Sequence, residues 1–323
     1  MGSILIITFF VIRYMPRLQI DADTIWMSWG SQVWAHPRRA DGTVCRTASQ
    51  VLRGHSDDVS RFVLRDGLLV SGGRDKTIVG WRQIGQSYEF AFARRYCHGS
   101  EVSAVDVTSN MVISGSRDQT VKIWRITDQV SLSPISTINI GDRIWSLATS
   151  SRGCVAVGSA GWFDGTPSLT LLDLATGTRQ DLGTDLRKGA GMLDLTWIDE
   201  TKFLSCGYDS LARLWDIRSG TCVSKWEEPF NEAIYCMSTD YNMTLVCGTA
   251  RHGLVRLWDM RSTQPVQSIY SKHPRLGQSS PVYSVSFDET NLYVALDQCL
   301  NLVSFSGDWE NANQRYNKVV YYR

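Results

Sequence analysis

The feature that most constrains the fold is a short stretch that returns along the chain at a nearly fixed interval. Ser71-Gly72-Gly73-Arg74-Asp75-Lys76-Thr77 leads through an apolar run to Trp81, and Ser114-Gly115-Ser116-Arg117-Asp118-Gln119-Thr120 leads likewise to Trp124. A third copy runs from Ser205 through Tyr208 and Asp209 to Trp215, and an altered fourth ends at Trp258-Asp259. Weaker equivalents end at Trp34, Leu172 and Phe305. These anchors are separated by 47, 43, 48, 43, 43 and 47 residues, close to the ~40–45 residues of a repeat built from four strands. Seven such units occupy the 323 residues and leave no room for a second domain.

Within a unit, β-branched runs alternate with Gly, Asp, Asn and Ser, the pattern of a short antiparallel meander. The third unit reads as strands over Val102–Val107, Met111–Ser114, Thr120–Ile126 and a less regular run near Pro134–Ile140. A lone four-stranded sheet cannot bury both faces. Packing the sheets radially lets each cover its neighbour and limits exposed edges. The expected fold is therefore all-β, a seven-bladed β-propeller over residues 13–323, with residues 1–12 as a separate apolar segment.

Four residue types recur with the repeat. His55, Ser71, Asp75 and Trp81 return as His98, Ser114, Asp118 and Trp124 at identical offsets. A buried imidazole joined to an aspartate, a hydroxyl and an indole N–H would satisfy each of these polar groups and pin the turn to the core. His beside Asp and Ser also matches the parts of a nucleophilic triad. An active site would occur once, however, and this set occurs twice at the repeat spacing. The fifth unit keeps Ser205, Asp209 and Trp215 but has Gly189-Ala190-Gly191 where the His belongs. The chain carries no nucleophile elbow, phosphate-binding glycine loop or metal-ligand cluster, so neither an enzyme nor a cofactor or metal site is expected.

Charge and cysteine usage narrow the class further. Lys and Arg number 33 against 32 Asp and Glu, without the clustered cations that nucleic-acid binding needs. The eight cysteines are scattered without a C-x-x-C pair, as in reduced, buried thiols of a cytoplasmic or nuclear protein. Ile4–Ile12 is a nine-residue apolar run, shorter than the roughly 20 residues of a membrane-spanning helix. No Lys or Arg precedes it and Arg13-Tyr14-Met15-Pro16 follows, unlike a secretory signal. Either Ile4–Ile12 or Lys318–Tyr322 would complete the seventh unit, and the spacing favours the N-terminal segment.

Gly54-His55, the Ser-Gly-x-x-Asp turns, Trp215-Asp216 and Trp258-Asp259 resemble the WD-repeat propellers over about residues 13–305. Further stretches resemble the dactylin-like F-box/WD-repeat proteins in particular. These are Gly54–Val59, Asp142–Ser146, Leu204–Asp216, Lys225–Pro229, Ser280–Tyr283 and Leu292–Leu296. The resemblance implies the substrate-receptor part of an SCF-type cullin–RING ubiquitin ligase, the alternative being a propeller scaffold with no ligase role. It departs from that plan at the front: residues 1–12 are too short for a helical F-box, so adaptor docking is expected only where an F-box is present upstream. In related phosphodegron receptors, arginines just before the turn Asp hold substrate phosphate. The matching positions are Arg74, Arg117 and Tyr208. Matching first-strand positions are Ser60, Ser103, Trp145, Asp194, Tyr235 and Tyr283, with Arg143 two residues before Trp145. The implied partner is a protein substrate or an acidic or phosphorylated peptide; no nucleic acid or membrane is expected.

Overall fold

The computed structural model describes residues 15–323 apart from 109, 128–130, 164, 184–185, 272–279, 298, 306–317 and 321–323. Seven four-stranded sheets make up the described chain, each pairing its strands in chain order. The first sheet holds β1 (Leu18–Ile20), β2 (Thr24–Trp29), β3 (Gln32–Pro37) and β4 (Gln50–Arg53). The second holds β5 (Val59–Arg65), β6 (Leu68–Gly73), β7 (Ile78–Ile84) and β8 (Ser87–Arg94). The third holds β9 (Val102–Val107), β10 (Met111–Ser116), β11 (Thr120–Ile126) and β12 (Leu132–Asn139). The fourth holds β13 (Ile144–Thr149), β14 (Cys154–Ser159), β15 (Leu169–Asp173) and β16 (Arg179–Leu182). The fifth holds β17 (Met192–Trp197), β18 (Lys202–Gly207), β19 (Leu211–Asp216) and β20 (Thr221–Glu227). The sixth holds β21 (Ile234–Thr239), β22 (Thr244–Thr249), β23 (Leu254–Asp259) and β24 (Pro265–Tyr270). The seventh holds β25 (Ser284–Phe287), β26 (Asn291–Ala295), β27 (Leu300–Ser304) and β28 (Lys318–Val320).

The sheets pack as two compact units. One comprises Leu52–Ala233 with Gly30–Gln32, and so holds the second to fifth sheets. In it the first strands β5, β9, β13 and β17 lie side by side in that order. Its cores form between neighbouring sheets: Val70, Phe92, Val105 and Trp124 pack together, as do Leu171, Leu195, Phe203 and Trp215. The other unit holds the sixth and seventh sheets and most of the first, with β21, β25 and β1 adjacent. Its core joins Ile25, Met27, Val246, Val285, Tyr293 and Leu300.

The central strands are buried on both faces, which explains their near-continuous apolar runs. Buried polar groups tie neighbouring sheets together. Asp106 on β9 accepts the Thr149 amide at 2.6 Å and pairs with Arg65 at 3.5 Å. Burial pushes the Asp106 carboxyl above its ordinary range, against the pull of Arg65. Trp197 donates its indole N–H to the Ala148 carbonyl at 2.9 Å.

Two bulges recur. In the second to sixth sheets the first strand carries one extra residue near its start: Ser60, Ser103, Trp145, Leu193 and Tyr235. Opposite the anchors Trp81, Trp124, Trp215 and Trp258, the fourth strand bulges at Ala91, Ile135, Val223 and Val266. A bulge increases local twist and turns an edge away from flat pairing. The last three of these aliphatics are accordingly exposed at sheet edges.

Two expectations about the seventh sheet are corrected. Its fourth position is held by β28, in register Leu300↔Val320, rather than by Ile4–Ile12. Residues 1–12 lie outside the described residues. The anchor of that sheet is Val303, which pairs with Leu292 as Trp258 pairs with Leu245. Phe305 lies past the end of β27 and is exposed.

Candidate functional site

The His–Ser–Asp–Trp sets are fasteners within their sheets. His55 Nδ1 lies 3.0 Å from Asp75 Oδ1 and its Nε2 lies 2.7 Å from Ser71 Oγ. His98 repeats this with Asp118 at 3.0 Å and Ser114 at 2.8 Å, and Trp124 Nε1 donates to the same hydroxyl at 2.9 Å. Trp81 is buried in the second sheet at the equivalent position. Both imidazoles are buried. Burial alone would raise the Asp75 and Asp118 carboxyls. Donors such as His55 and the Thr77 amide at Asp75, and Thr120 and the Gly99 amide at Asp118, hold both below their usual value instead. Burial lowers the His98 pKa against the pull of Asp118.

Gly73 packs tightly against this set: a Cβ would sit 2.6 Å from His55 Nδ1 and 2.9 Å from Asp75 Oδ1, whereas the third sheet carries Ser116 at the same position. In the fifth sheet Trp215 still donates to Ser205 at 2.9 Å, while Asp209, lacking a His, forms a buried ion pair with Arg213 at 2.6 Å. The replacement cation was not legible from the motif, because it sits on the strand that follows the turn.

Next to each fastener, the turn between second and third strands is stitched to the start of the first strand. The amides of Arg74 and Arg117 donate to the carbonyls of Asp58 and Glu101, that of Ala160 to Arg143, and that of Tyr208 to both Gly191 at 3.3 Å and Ala190 at 2.9 Å. Equivalent backbone slots therefore carry Asp58, Glu101, Arg143 and Gly191 on one side, and Arg74, Arg117, Ala160 and Tyr208 on the other. Arg74 pairs across its stitch with Asp58 at 3.4 Å and Arg117 with Glu101 at 2.6 Å. Burial raises the Asp58 carboxyl, with Arg74 opposing. Arg143 occupies the slot that holds an acid in the two preceding sheets. It is exposed and forms no ion pair among the described residues.

Beside it lies an aromatic pair. Trp145, the bulge residue of β13, meets Tyr208 edge-on, ring centroids 5.2 Å apart and planes at 72°. The indole lies on Gly191, where a Cβ would come within 2.7 Å of the ring. Arg187 donates to the Tyr208 carbonyl at 2.9 Å. Tyr235 and Tyr283 belong to the other unit, where their ring centroids are 6.2 Å apart.

Asp194 is corrected by one residue. The bulge register puts Leu193 at the slot of Trp145 and Tyr235, and Asp194 turns inward, buried, onto Arg61 at 2.5 Å. Trp162 and Phe163 escaped the sequence reading altogether. They follow β14 and are 53% and 50% exposed. Their trace was the 48-residue step between Trp124 and Leu172, the longest in the series. Among the described residues no His, Cys, Asp or Glu cluster is arranged to hold a metal, and no helix is long and apolar enough to cross a membrane.

A model of the WD domain, G-beta repeat, matches residues 46–82 and 92–125. Over 298 residues, 90% of this chain, the sequence is 35% identical to F-box/WD repeat-containing protein 4 of Mus musculus, across 70% of that protein. The Homo sapiens protein of the same name matches with the same identity and coverage. Among solved structures, the WD40 β-propeller domain of Doa1 aligns with a TM-score of 0.65 at 19% identity, covering 86% of this chain and 87% of that one. The computationally designed Ika8 protein aligns at 0.64 and 22% identity, covering 88% and 81%. These two likenesses concern fold alone. With the seven sheets they identify a seven-bladed WD-repeat β-propeller.

Proposed function

Because this chain belongs to the F-box/WD-repeat family, we propose that it is a non-catalytic interaction propeller that captures a protein substrate for an SCF-type cullin–RING ubiquitin ligase. Its substrates are then marked for ubiquitin-dependent degradation. The observation that carries the reading is the edge-on Trp145–Tyr208 pair with, two residues before Trp145, an exposed Arg143 that forms no ion pair among the described residues. Aromatic and arginine side chains are the commonest binding hot spots.

Arg74 and Arg117 extend the face on the second and third sheets. Their ion pairs are exposed, hence weak, and an acidic or phosphorylated segment can displace Asp58 or Glu101 through bidentate guanidinium bonds. In the other unit, Tyr235 and Tyr283 offer half-buried rings to the same kind of partner. Eight cysteines without a disulfide among them fit the reducing cytoplasm or nucleus.

The test is proximity labelling in cells with this chain and with a form extended upstream, followed by half-life measurement of the captured proteins. Captured proteins that are stabilised when the receptor is removed, together with recovery of the ligase adaptor by the extended form, support the reading. Captured proteins with unchanged half-lives and no adaptor would instead identify a propeller scaffold.

A further inference from the structure

Four exposed aromatic side chains, Trp162, Phe163, Tyr208 and Phe230, belong to the fourth and fifth sheets. Trp162 and Phe163 stand out from the turn after β14, and Phe230, in the loop after β20, is 66% exposed. The set lies on neighbouring turns. Gly189, against the Trp162 ring, lies two residues from Gly191, which backs Trp145; Trp145 meets Tyr208; and Ser210 beyond Tyr208 bonds Asn231 next to Phe230. Adjacent exposed aromatics on a folded surface mark an interaction site.

These residues are held in place by internal bonds. The Trp162 amide donates to Asp142 Oδ2 at 2.8 Å, while the other oxygen of this fully buried carboxylate takes the Arg143 amide at 2.7 Å. The Gly189 amide donates to the Gly161 carbonyl at 2.7 Å. Glu228, also buried, accepts the amides of Phe230 at 2.7 Å and Glu232 at 2.9 Å. A platform fixed in advance loses little entropy on binding.

Next to Trp162 and Trp145, the described acids Asp142 and Asp209 are buried and turned to internal partners, whereas Arg143 and Arg187 are exposed; at the Phe230 end Glu228 is buried and Glu227 exposed. We propose that Trp162 and Phe163, with Arg143, anchor an unphosphorylated acidic peptide segment that carries a bulky apolar side chain beside its carboxylate. This rests on the receptor reading above and adds the chemistry of the partner. A phosphate dianion is best held by several converging guanidiniums. Arg74 and Arg117 lie on the second and third sheets, and Arg187 is tied to the Tyr208 carbonyl. Arg143 therefore offers one fork, which fits one carboxylate, and the rings on either side receive an aliphatic or aromatic neighbour.

The experiment is selection of phage-displayed random peptides on the full chain, with the enriched sequence then synthesised carrying a fluorescein label and titrated by polarisation. Enrichment of Asp or Glu next to Leu, Ile or Phe is expected. Affinity should fall roughly thirtyfold in Trp162→Ala or Phe163→Ala, as for a lost aromatic anchor, and again in Arg143→Glu. Arg152→Ala, in the turn between β13 and β14 at the opposite end of the fourth sheet, should leave it within a factor of about two. No enrichment, or indifference to all three platform substitutions, overturns the proposal. Tighter binding when phosphoserine replaces the acidic residue overturns its choice of carboxylate over phosphate. Peptides that answer to Arg74 and Arg117 instead would keep the receptor reading while removing this site; failure to capture any protein in cells would remove the receptor reading.

Discussion

Arg61 on β5 and Asp194 on β17 form an ion pair of 2.5 Å, 133 residues apart in sequence, that bridges the two end sheets of the four-sheet unit. Each occupies the position immediately after the bulge in its first strand. Removing one partner leaves the other charge buried without its counter-charge, a change that costs about 3–5 kcal/mol. Asp194→Asn and Arg61→Met should each lower the denaturant midpoint strongly. The double substitution Arg61→Met with Asp194→Leu should recover most of the loss, and additive losses in that cycle would show that the pair is not coupled.

The fasteners predict a split between stability and binding. Ser114→Ala strips a partner from both His98 Nε2 and Trp124 Nε1. Leaving buried polar groups unsatisfied costs about 1–3 kcal/mol. Chemical unfolding should register that loss, while capture of partners at ambient temperature stays unchanged.

Gly191 supports the Trp145 ring and has a left-handed backbone, φ +36°. Gly191→Ala forces a methyl to within 2.7 Å of the indole, and overpacking of this kind costs about 1–3 kcal/mol. Near-ultraviolet circular dichroism should show loss of the Trp145–Tyr208 exciton signal with the β-sheet signal intact.

Acid should weaken the fold through its histidines, against an opposing contribution from Asp106, whose carboxyl burial raises. Burial lowers the His36 pKa to about 4, against the raising effect of its bond to the Cys45 carbonyl, from 6.5 in the unfolded chain. Between those values the unfolded chain binds a proton that the folded one resists. Stability is therefore complete above pH 6.5 and declines as pH falls toward 4, by on the order of 3 kcal/mol. His98, also lowered by burial, adds in the same direction. Asp75 and Asp118 lose their contributions only as pH falls below 3.8. Denaturant midpoints at pH 7.5 and 5.0 should differ clearly, and by less in His36→Phe, which keeps a ring stacked on Trp34.

Arg74→Ala and Arg117→Ala break exposed ion pairs, so thermal stability should shift by no more than about 0.5 kcal/mol. Capture of an acidic partner on the second and third sheets should weaken measurably in the double variant. A large drop in melting temperature would instead assign these arginines a structural role.

The repeat could be read from residues alone because its parts are close in sequence. A turn, its Asp, the His before the first strand and the Trp after the turn all act within one meander, so spacing carries the geometry. The same locality fixed the strands of the third unit to within a few residues. What failed was register where the backbone departs from regular pairing. A bulge inserts one residue without changing composition, so Asp194 looked like the equivalent of Trp145 although Leu193 holds that place. In the seventh sheet the anchor is a plain Val303, without the indole that marks the others. Tertiary packing alone decided the rest. It brought Arg61 to Asp194 and set the Trp145 ring against Tyr208. Those encounters depend on how whole sheets stack, through contacts between residues far apart in the chain, and no local spacing encodes them.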